Sequence, residues 1–314
     1  MEDDLVLVMH PQLLMTPSSI SEAVGCSRRA VIKSRLGSTG MTSKAAIIGT
    51  MRHDLFESCL LNSDFSKKSA EMHAHAIVQK HAETLLGCSL YDYDEAHTQL
   101  MQILSEVERF AQKYTLIGKN HRSVGGAILE GYGLQNDLWV RADAVHATEE
   151  SVIVPELGLK GNVDVTFQIS SKSIPNTIQI PRTTLMGVEL KTGHNQNPQN
   201  AHTAQLALYS LMLRIRHGSV SNSFVERGTE QYLTNVGEEH VASHGGMLLY
   251  LNHKGHRALH VSSSSGEAKS LISHRNVLAV ELKNSKKPRG ILVHEKLDDE
   301  IDPASDKKRC VKLN

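Results

Sequence analysis

The chain has 314 residues, with 34 basic and 34 acidic side chains, so its formal net charge is zero and a whole-molecule electrostatic footprint for nucleic acid is absent. Aromatic residues make up only 4% of it, which argues against a surface built mainly on stacking with bases. No apolar run reaches the length needed for a membrane-spanning helix (about 18 residues), while 40% hydrophobic content supports a substantial core in one large domain or two small ones.

The start, MEDDLVLVMH, is acidic and shows neither a signal-peptide nor a transit-peptide pattern. Residues 18–35 read as a helix, with Ser21 as its N-cap and Val24, Ala30 and Val31 on an apolar face. A second helix over 45–61 carries His53, with Phe56 and Leu60 three and seven positions on. A long helical region follows over 67–86, breaks at 87–92 and resumes over 94–114. From 127 the pattern turns to strands, at 127–132, 138–147, 151–155, 162–169 and 185–191. Residues 200–217 read as a helix and 247–252 (MLLYLN) as a buried strand, while 277–282 fits either. SSSSG at 262–266 reads as a loop. The chain is thus expected to be α/β, in three parts: a helical 1–126, a sheet-rich 127–283 and a polar tail over 284–314.

The chemistry-bearing residues gather between 158 and 213. Asp164 lies in one apolar alternating run (GLKGNVDVTF); Glu189 and Lys191 lie in a second (MGVELKTG). Successive strand side chains point to opposite faces, so Met186, Val188 and Leu190 face a core while Glu189 and Lys191 share the other face. On the following helix His202, Gln205 and Tyr209 fall at i, i+3 and i+7 on one face, and Ala204, Leu208, Leu211 and Ile215 form a neighbouring stripe expected to pack on the sheet. A lone E-x-K is weak, because charges alternate along the wet face of many strands. D…E-x-K on two strands, followed by Q-x3-Y on a helix, is far more specific. Two carboxylates and a lysine at a sheet edge can hold a divalent cation and a water beside a phosphodiester.

This arrangement resembles the PD-(D/E)XK nuclease superfamily in its RecB-like branch. The strings HPQLLMTPSSISEAVGCSRRAVIKSRL, AAIIGTMRHDLFESCL and EESVIVPELGLKGNVDV are similar to the nuclease domain of the eukaryotic flap-processing helicase–nucleases. The similarity runs from about residue 10 to about residue 283. It implies a restriction-endonuclease-like core, a mixed central sheet flanked by helices, with an N-terminal helical region. It also implies metal-dependent hydrolysis of single-stranded or 5′-flapped DNA in replication and repair, in the nucleus with a mitochondrial share left open. The implied partners include a single-strand DNA-binding protein.

In this reading Asp164 and Glu189 ligate Mg²⁺ or Mn²⁺, with the Leu190 backbone carbonyl as a further ligand and His53 adding a nitrogen. Lys191 orients the attacking water, and Gln205 and Tyr209 position Lys191 or the substrate. The other histidines have no such role; His73, His75 and His81 show no metal-ligand spacing. Arg28, Arg29, Lys33 and Arg35, with Lys119 and Arg122, are candidates for a local basic surface, each more readily read as a solvated charge.

The cysteines depart from the family pattern, which holds a [4Fe–4S] cluster with one cysteine upstream of the core and three downstream. Cys26 occupies the upstream position, but after Cys88 the only cysteine is Cys310. Four thiolates are usually required, so no intact cluster is expected from this chain alone. Nor is there a G-x-x-x-x-G-K-[ST] sequence for a nucleotide-driven motor. A truncated product, a splice product and a stand-alone paralogue would each give this pattern. The alternative function is therefore a catalytically impaired DNA-binding or regulatory fragment.

Overall fold

A computed structural model describes residues 6–37, 43–88, 92–117, 125–133, 135–173, 182–193, 195–218, 241–243, 245–262 and 264–285. Seven helices come first: α1 (Pro17–Gly25), α2 (Ser27–Leu36), α3 (Lys44–Leu61), α4 (Lys67–Lys80), α5 (Ala82–Gly87), α6 (Tyr93–Met101) and α7 (Leu104–Tyr114). Strands β1 (Ala127–Gly131), β2 (Leu138–Val154), β3 (Leu159–Ser173) and β4 (Arg182–Lys191) follow. After them come α8 (Asn200–His217), β5 (Val241–Ala242), β6 (Gly245–Asn252), β7 (Gly255–Ser262) and α9 (Ser265–Asn284).

The strands form one sheet in the order β3-β2-β1-β7-β6-β4-β5, and β3 also pairs with β4, so the ladder returns on itself. The sheet is mixed. β1–β2, β2–β3, β3–β4 and β6–β7 are antiparallel, whereas β4 runs parallel to β5 and β6, and β1 parallel to β7. Helices cover both faces, which gives the expected α/β architecture with its N-terminal helical region. One core joins α3–α7 to Phe167, Met186, Val188, Leu190, Met247 and Leu249. A second joins α1, α2, α8 and α9 to Val152, Leu159, Val163 and Leu185. β6 is buried along its whole length because both of its faces are covered, as an unbroken apolar run requires.

Several expected boundaries shift. The helix expected over 18–35 is two helices broken at Cys26, and its N-cap is Thr16, whose side chain accepts from the Ser19 amide; Ser21 lies inside α1 and donates to the Ser18 carbonyl. The 67–86 helix breaks at His81, and the 94–114 helix after Met101. The two strands expected at 138–147 and 151–155 are one, β2, whose register slips at Ala142/Ala144 and Val145/Ala147. Such bulges admit extra residues without ending a strand. Residues 277–282 are helical, and the serine run at 262–266 holds the capping box that starts α9: Ser264 caps Glu267, and Glu267 caps back. Residues 286–314 of the expected tail, with Cys310, lie outside the described residues, as do Lys119 and Arg122. Lys33 pairs with Glu22, and Arg35 binds Ser285 and the Leu282 carbonyl, so these two serve helix packing, whereas Arg28 and Arg29 are exposed. No helix of the described residues is long and apolar enough to cross a membrane.

Candidate active site

β3 and β4 lie side by side, with Val165 opposite Val188 and Thr166 opposite Gly187. Val163 belongs to the core under α8 and Val165 to the core under α3, so the alternation of β3 switches face at Asp164. Opposite it on β2, Glu149 adopts a left-handed backbone (φ 48°) between the pairs Thr148–Val165 and Glu150–Val163. Asp164 is thereby turned toward the end of β4, where its Oδ2 accepts the Leu190 amide at 2.7 Å.

β4 alternates as expected. Met186, Val188 and Leu190 are buried beneath the helical region, and Glu189 points the other way. That second face is not wet, however: α8 covers it, and Glu189 is only 3% exposed. Lys191 Nζ donates to Glu189 Oε1 at 2.5 Å and to Gln205 Oε1 at 3.3 Å. Tyr209 is buried and hydrogen-bonded with Gln205 and Ser18. A Cβ at Gly161 would stand 2.8 Å from Tyr209 Cε1, so the second glycine of GLKGNVDV clears space for that ring.

α8 reaches the sheet through Leu206 and Leu213, seated over Gly246 and Gly187, where a Cβ would come within 2.5 and 2.8 Å of them. The apolar stripe expected on this helix is therefore displaced. Leu208 is buried, Ala204 and Leu211 are partly buried, and Ile215 is half exposed. His202 lies on the same side as Gln205 as expected, and its Nδ1 meets the Tyr250 hydroxyl at 2.8 Å.

α3 brings His53 from the far side. Buried Arg52 anchors the helix by donating to the Thr192 carbonyl at 3.2 Å and the Gln99 carbonyl at 3.1 Å. His53 Nδ1 then stands 3.7 Å from Asp164 Oδ2. Between α3 and the end of β4 opens a cleft of about 560 Å³, lined among others by His53, Asp54, Glu149, Leu190, Lys191 and His202. The Leu190 side chain is buried in the core, so what it presents to the cleft is backbone.

The electrostatics are those of a crowded acidic site. Burial pushes the Glu189 carboxyl up to about 7, Asp164 adding to the rise and Lys191 opposing it. Burial likewise pushes Asp164 up to about 6, against the Leu190 amide and Lys191. Burial lowers the His53 pKa, partly offset by Glu189, which keeps the imidazole neutral with a lone pair to donate. Glu57, one turn beyond His53, is raised to about 8 by burial and then by Glu149, Asp164 and Asp54. Burial opposes ionisation of Asp54, but its bonds to Lys80 and His81 outweigh this and hold its pKa low. Asp54, Glu57 and Glu149 are the acidic neighbours that sequence reasoning missed. The i, i+4 spacing of His53 and Glu57 is a helical-face signal that was available; nothing marked Glu149.

A divalent cation fits these residues. Glu189 Oε2 is buried without a hydrogen-bond partner, a costly state that a cation would relieve. The donors, two carboxylates, a backbone carbonyl and an imidazole, suit Mg²⁺ or Mn²⁺. The ligand atoms of His53, Asp164 and Glu189 do not all lie within 4.8 Å of one another. An iron–sulfur cluster does not fit the described cysteines. Cys26 sits at the α1–α2 break, Cys59 is buried in α3 with its thiol pushed up to about 12 by burial, and Cys88 ends α5.

Comparison with known proteins decides the family. The profile described as "DNA replication factor Dna2" matches residues 2–169, just over half of the chain. The chain belongs to the Dna2 family. That match passes Asp164 and ends before β4. Its Dna2 relatives extend the likeness further. The protein named "DNA replication ATP-dependent helicase/nuclease dna2" of Schizosaccharomyces pombe is 26% identical over 220 residues, 70% of this chain and 14% of its own length. The Arabidopsis thaliana "DNA replication ATP-dependent helicase/nuclease JHS1" is 25% identical over 281 residues, 88% of this chain and 18% of its own. An alignment of that length necessarily includes β3, β4 and α8. The human "DNA replication ATP-dependent helicase/nuclease DNA2" is 26% identical over 216 residues, 67% of this chain and 20% of its own. The chain thus spans no more than a fifth of the length of these relatives.

Proposed function

We propose that this chain is a Mg²⁺- or Mn²⁺-dependent nuclease of PD-(D/E)XK type, which hydrolyses phosphodiester bonds of single-stranded or 5′-flapped DNA. The observation that carries the reading is the gathering of Asp164, Glu189 and Lys191 around the end of β4, behind an open cleft that Lys191 and His53 line, with Glu189 Oε2 buried and unpartnered. The names of the family's relatives point to DNA and to replication; the nucleus as location and a single-strand DNA-binding protein as partner are part of the proposal.

Asp164, Glu189, the Leu190 carbonyl and His53 would hold the cation. When bound, it polarises the scissile phosphate and lowers the pKa of a water. The protein's own part is positioning. Lys191, held between Glu189 and Gln205, places an ammonium where the attacking water and the developing phosphorane charge meet. Gln205 limits the rotamers of Lys191, and Tyr209 fixes Gln205 from beneath. Burial and Lys191 lower His202 to about 4, so it enters the cleft as a neutral hydrogen-bonding group.

The alternative, a DNA-binding fragment without catalysis, draws on the cysteine spacing, in which only Cys310 follows Cys88. Circular single-stranded DNA separates the two. The nuclease reading expects cleavage of the circle only with Mg²⁺ or Mn²⁺, lost in Asp164→Ala while DNA binding persists. Unchanged cleavage by Asp164→Ala would remove the site assignment. Metal-independent retention of intact circles by the parent would favour the fragment.

A further inference from the structure

A second cluster of ligand-type side chains lies at the opposite end of α8. His217 is the last residue of that helix, and its Nε2 stands 2.8 Å from Glu150 Oε1 on β2. His146, four positions earlier on β2, sets its ring edge-on to that of His217, with centroids 5.4 Å apart and planes at 89°. One donor atom from each of His146, Glu150 and His217 falls within 4.8 Å of the others, and among the described residues no other such group of three was found. We propose that these three side chains form a transition-metal site, of Zn²⁺ type, that fastens the C-terminal end of α8 to β2.

The donor chemistry differs from that of the cleft. Two imidazoles and one carboxylate make a borderline-soft set suited to Zn²⁺, whereas the carboxylate-rich cleft suits a hard cation. Thr166 donates to Glu150 Oε2 at 2.6 Å, which fixes the carboxylate and leaves Oε1 turned toward His217. Hydrogen-bonded support of this kind is how metal-binding carboxylates are usually oriented. Ligand atoms of a tetrahedral Zn²⁺ site lie about 3.4 Å apart, so small side-chain rotations close the three onto one ion. Arg216 Nε is 3.6 Å from the same Oε1, and its side chain, half exposed, can swing into solvent. His217 lies twelve positions beyond Gln205, roughly 18 Å of helix, so the site is separate from the cleft.

The test is Zn²⁺ titration of the tag-free, chelator-stripped chain by calorimetry, with Co²⁺ absorption as a coordination signature. The parent is expected to bind one Zn²⁺ at this site, to show the visible band of low-coordinate Co²⁺, and to melt higher with Zn²⁺. His217→Gln and His146→Ala should each weaken that binding more than about tenfold and abolish the band. His53→Ala, altered only in the cleft, should keep both. Parent-like Zn²⁺ affinity and spectrum in folded His146→Ala and His217→Gln would overturn the proposal, as would loss of the band in His53→Ala alone.

Discussion

At Glu189 two demands meet in one side chain: burial under α8, which disfavours its charge, and the acidic neighbour Asp164, which disfavours it further. Both carboxylates hold their protons more tightly in the folded chain than in the unfolded one. Their contribution to stability is therefore fully present below the ordinary carboxylate range and is lost as pH rises toward about 7, at up to ~1.4 kcal/mol per pH unit for each group. Glu189→Gln keeps the shape without the charge. In chelator, the melting temperature of this variant relative to the parent should rise between pH 5 and pH 8; an unchanged difference would contradict the buried-charge account. Mn²⁺ at pH 8 should raise the melting temperature of the parent and not of Glu189→Gln, since an ion stabilises only the state that holds it. Asp164, Glu189 and Lys191 were legible in the sequence because D…E-x-K is local to two strands. Glu149 was not, because its place depends on a left-handed backbone opposite Asp164. Nor was the coverage of Glu189 by α8, which depends on how closely that helix seats on the sheet.

α8 shows what could and could not be read at the level of elements. Its bounds were legible, since its apolar period runs unbroken to Gly218, which takes a positive φ of 86°. Its seating was not, because that depends on Gly187 and Gly246 admitting Leu213 and Leu206. A Cβ at Gly246 would also come 2.9 Å from the Gly187 carbonyl oxygen, which is backbone and cannot rotate away. Gly246→Ala is expected to destabilise the fold by roughly 1–3 kcal/mol in urea unfolding; no measurable change would show that the helix floats above the sheet. Gly161→Ala acts on the site instead. By displacing Tyr209 it should lower cleavage more than it lowers stability. β2 was read as two strands because TEE at 148–150 interrupts its apolar alternation, yet there the pairing with β3 continues unbroken through Thr148–Val165 and Glu150–Val163.

Across the whole molecule, the segment before α1 is tied to the far end of the described chain. Fully buried Arg275 on α9 donates to the carbonyls of Met9, His10 and Leu13. Gly158 packs against its guanidinium with a positive φ of 61°, where a Cβ would lie 2.1 Å from Nη2. Met15 continues the tie through paired bonds of 2.9 Å to Gly158 and Leu159's neighbour Lys160. The first glycine of GLKGNVDV thus serves closure of the fold, and the second serves the site. Arg275→Ala would take the donor away from the part-buried carbonyls of Met9, His10 and Leu13 and leave a void under α9, at a cost of roughly 3 kcal/mol measurable by urea unfolding. A parent-like midpoint would show that water satisfies them.

In the proposed reading a bound cation is what lets the acidic site engage a polyanion, and this makes cleavage the decisive readout. The most direct measurement is cutting of an end-labelled 5′-flapped DNA by the purified chain with Mg²⁺ or Mn²⁺, beside its Lys191→Ala variant. The account predicts metal-dependent cutting by the parent and none by the variant, with flap binding retained in both. Cutting by both, or by neither when both are folded and flap-bound, would contradict it.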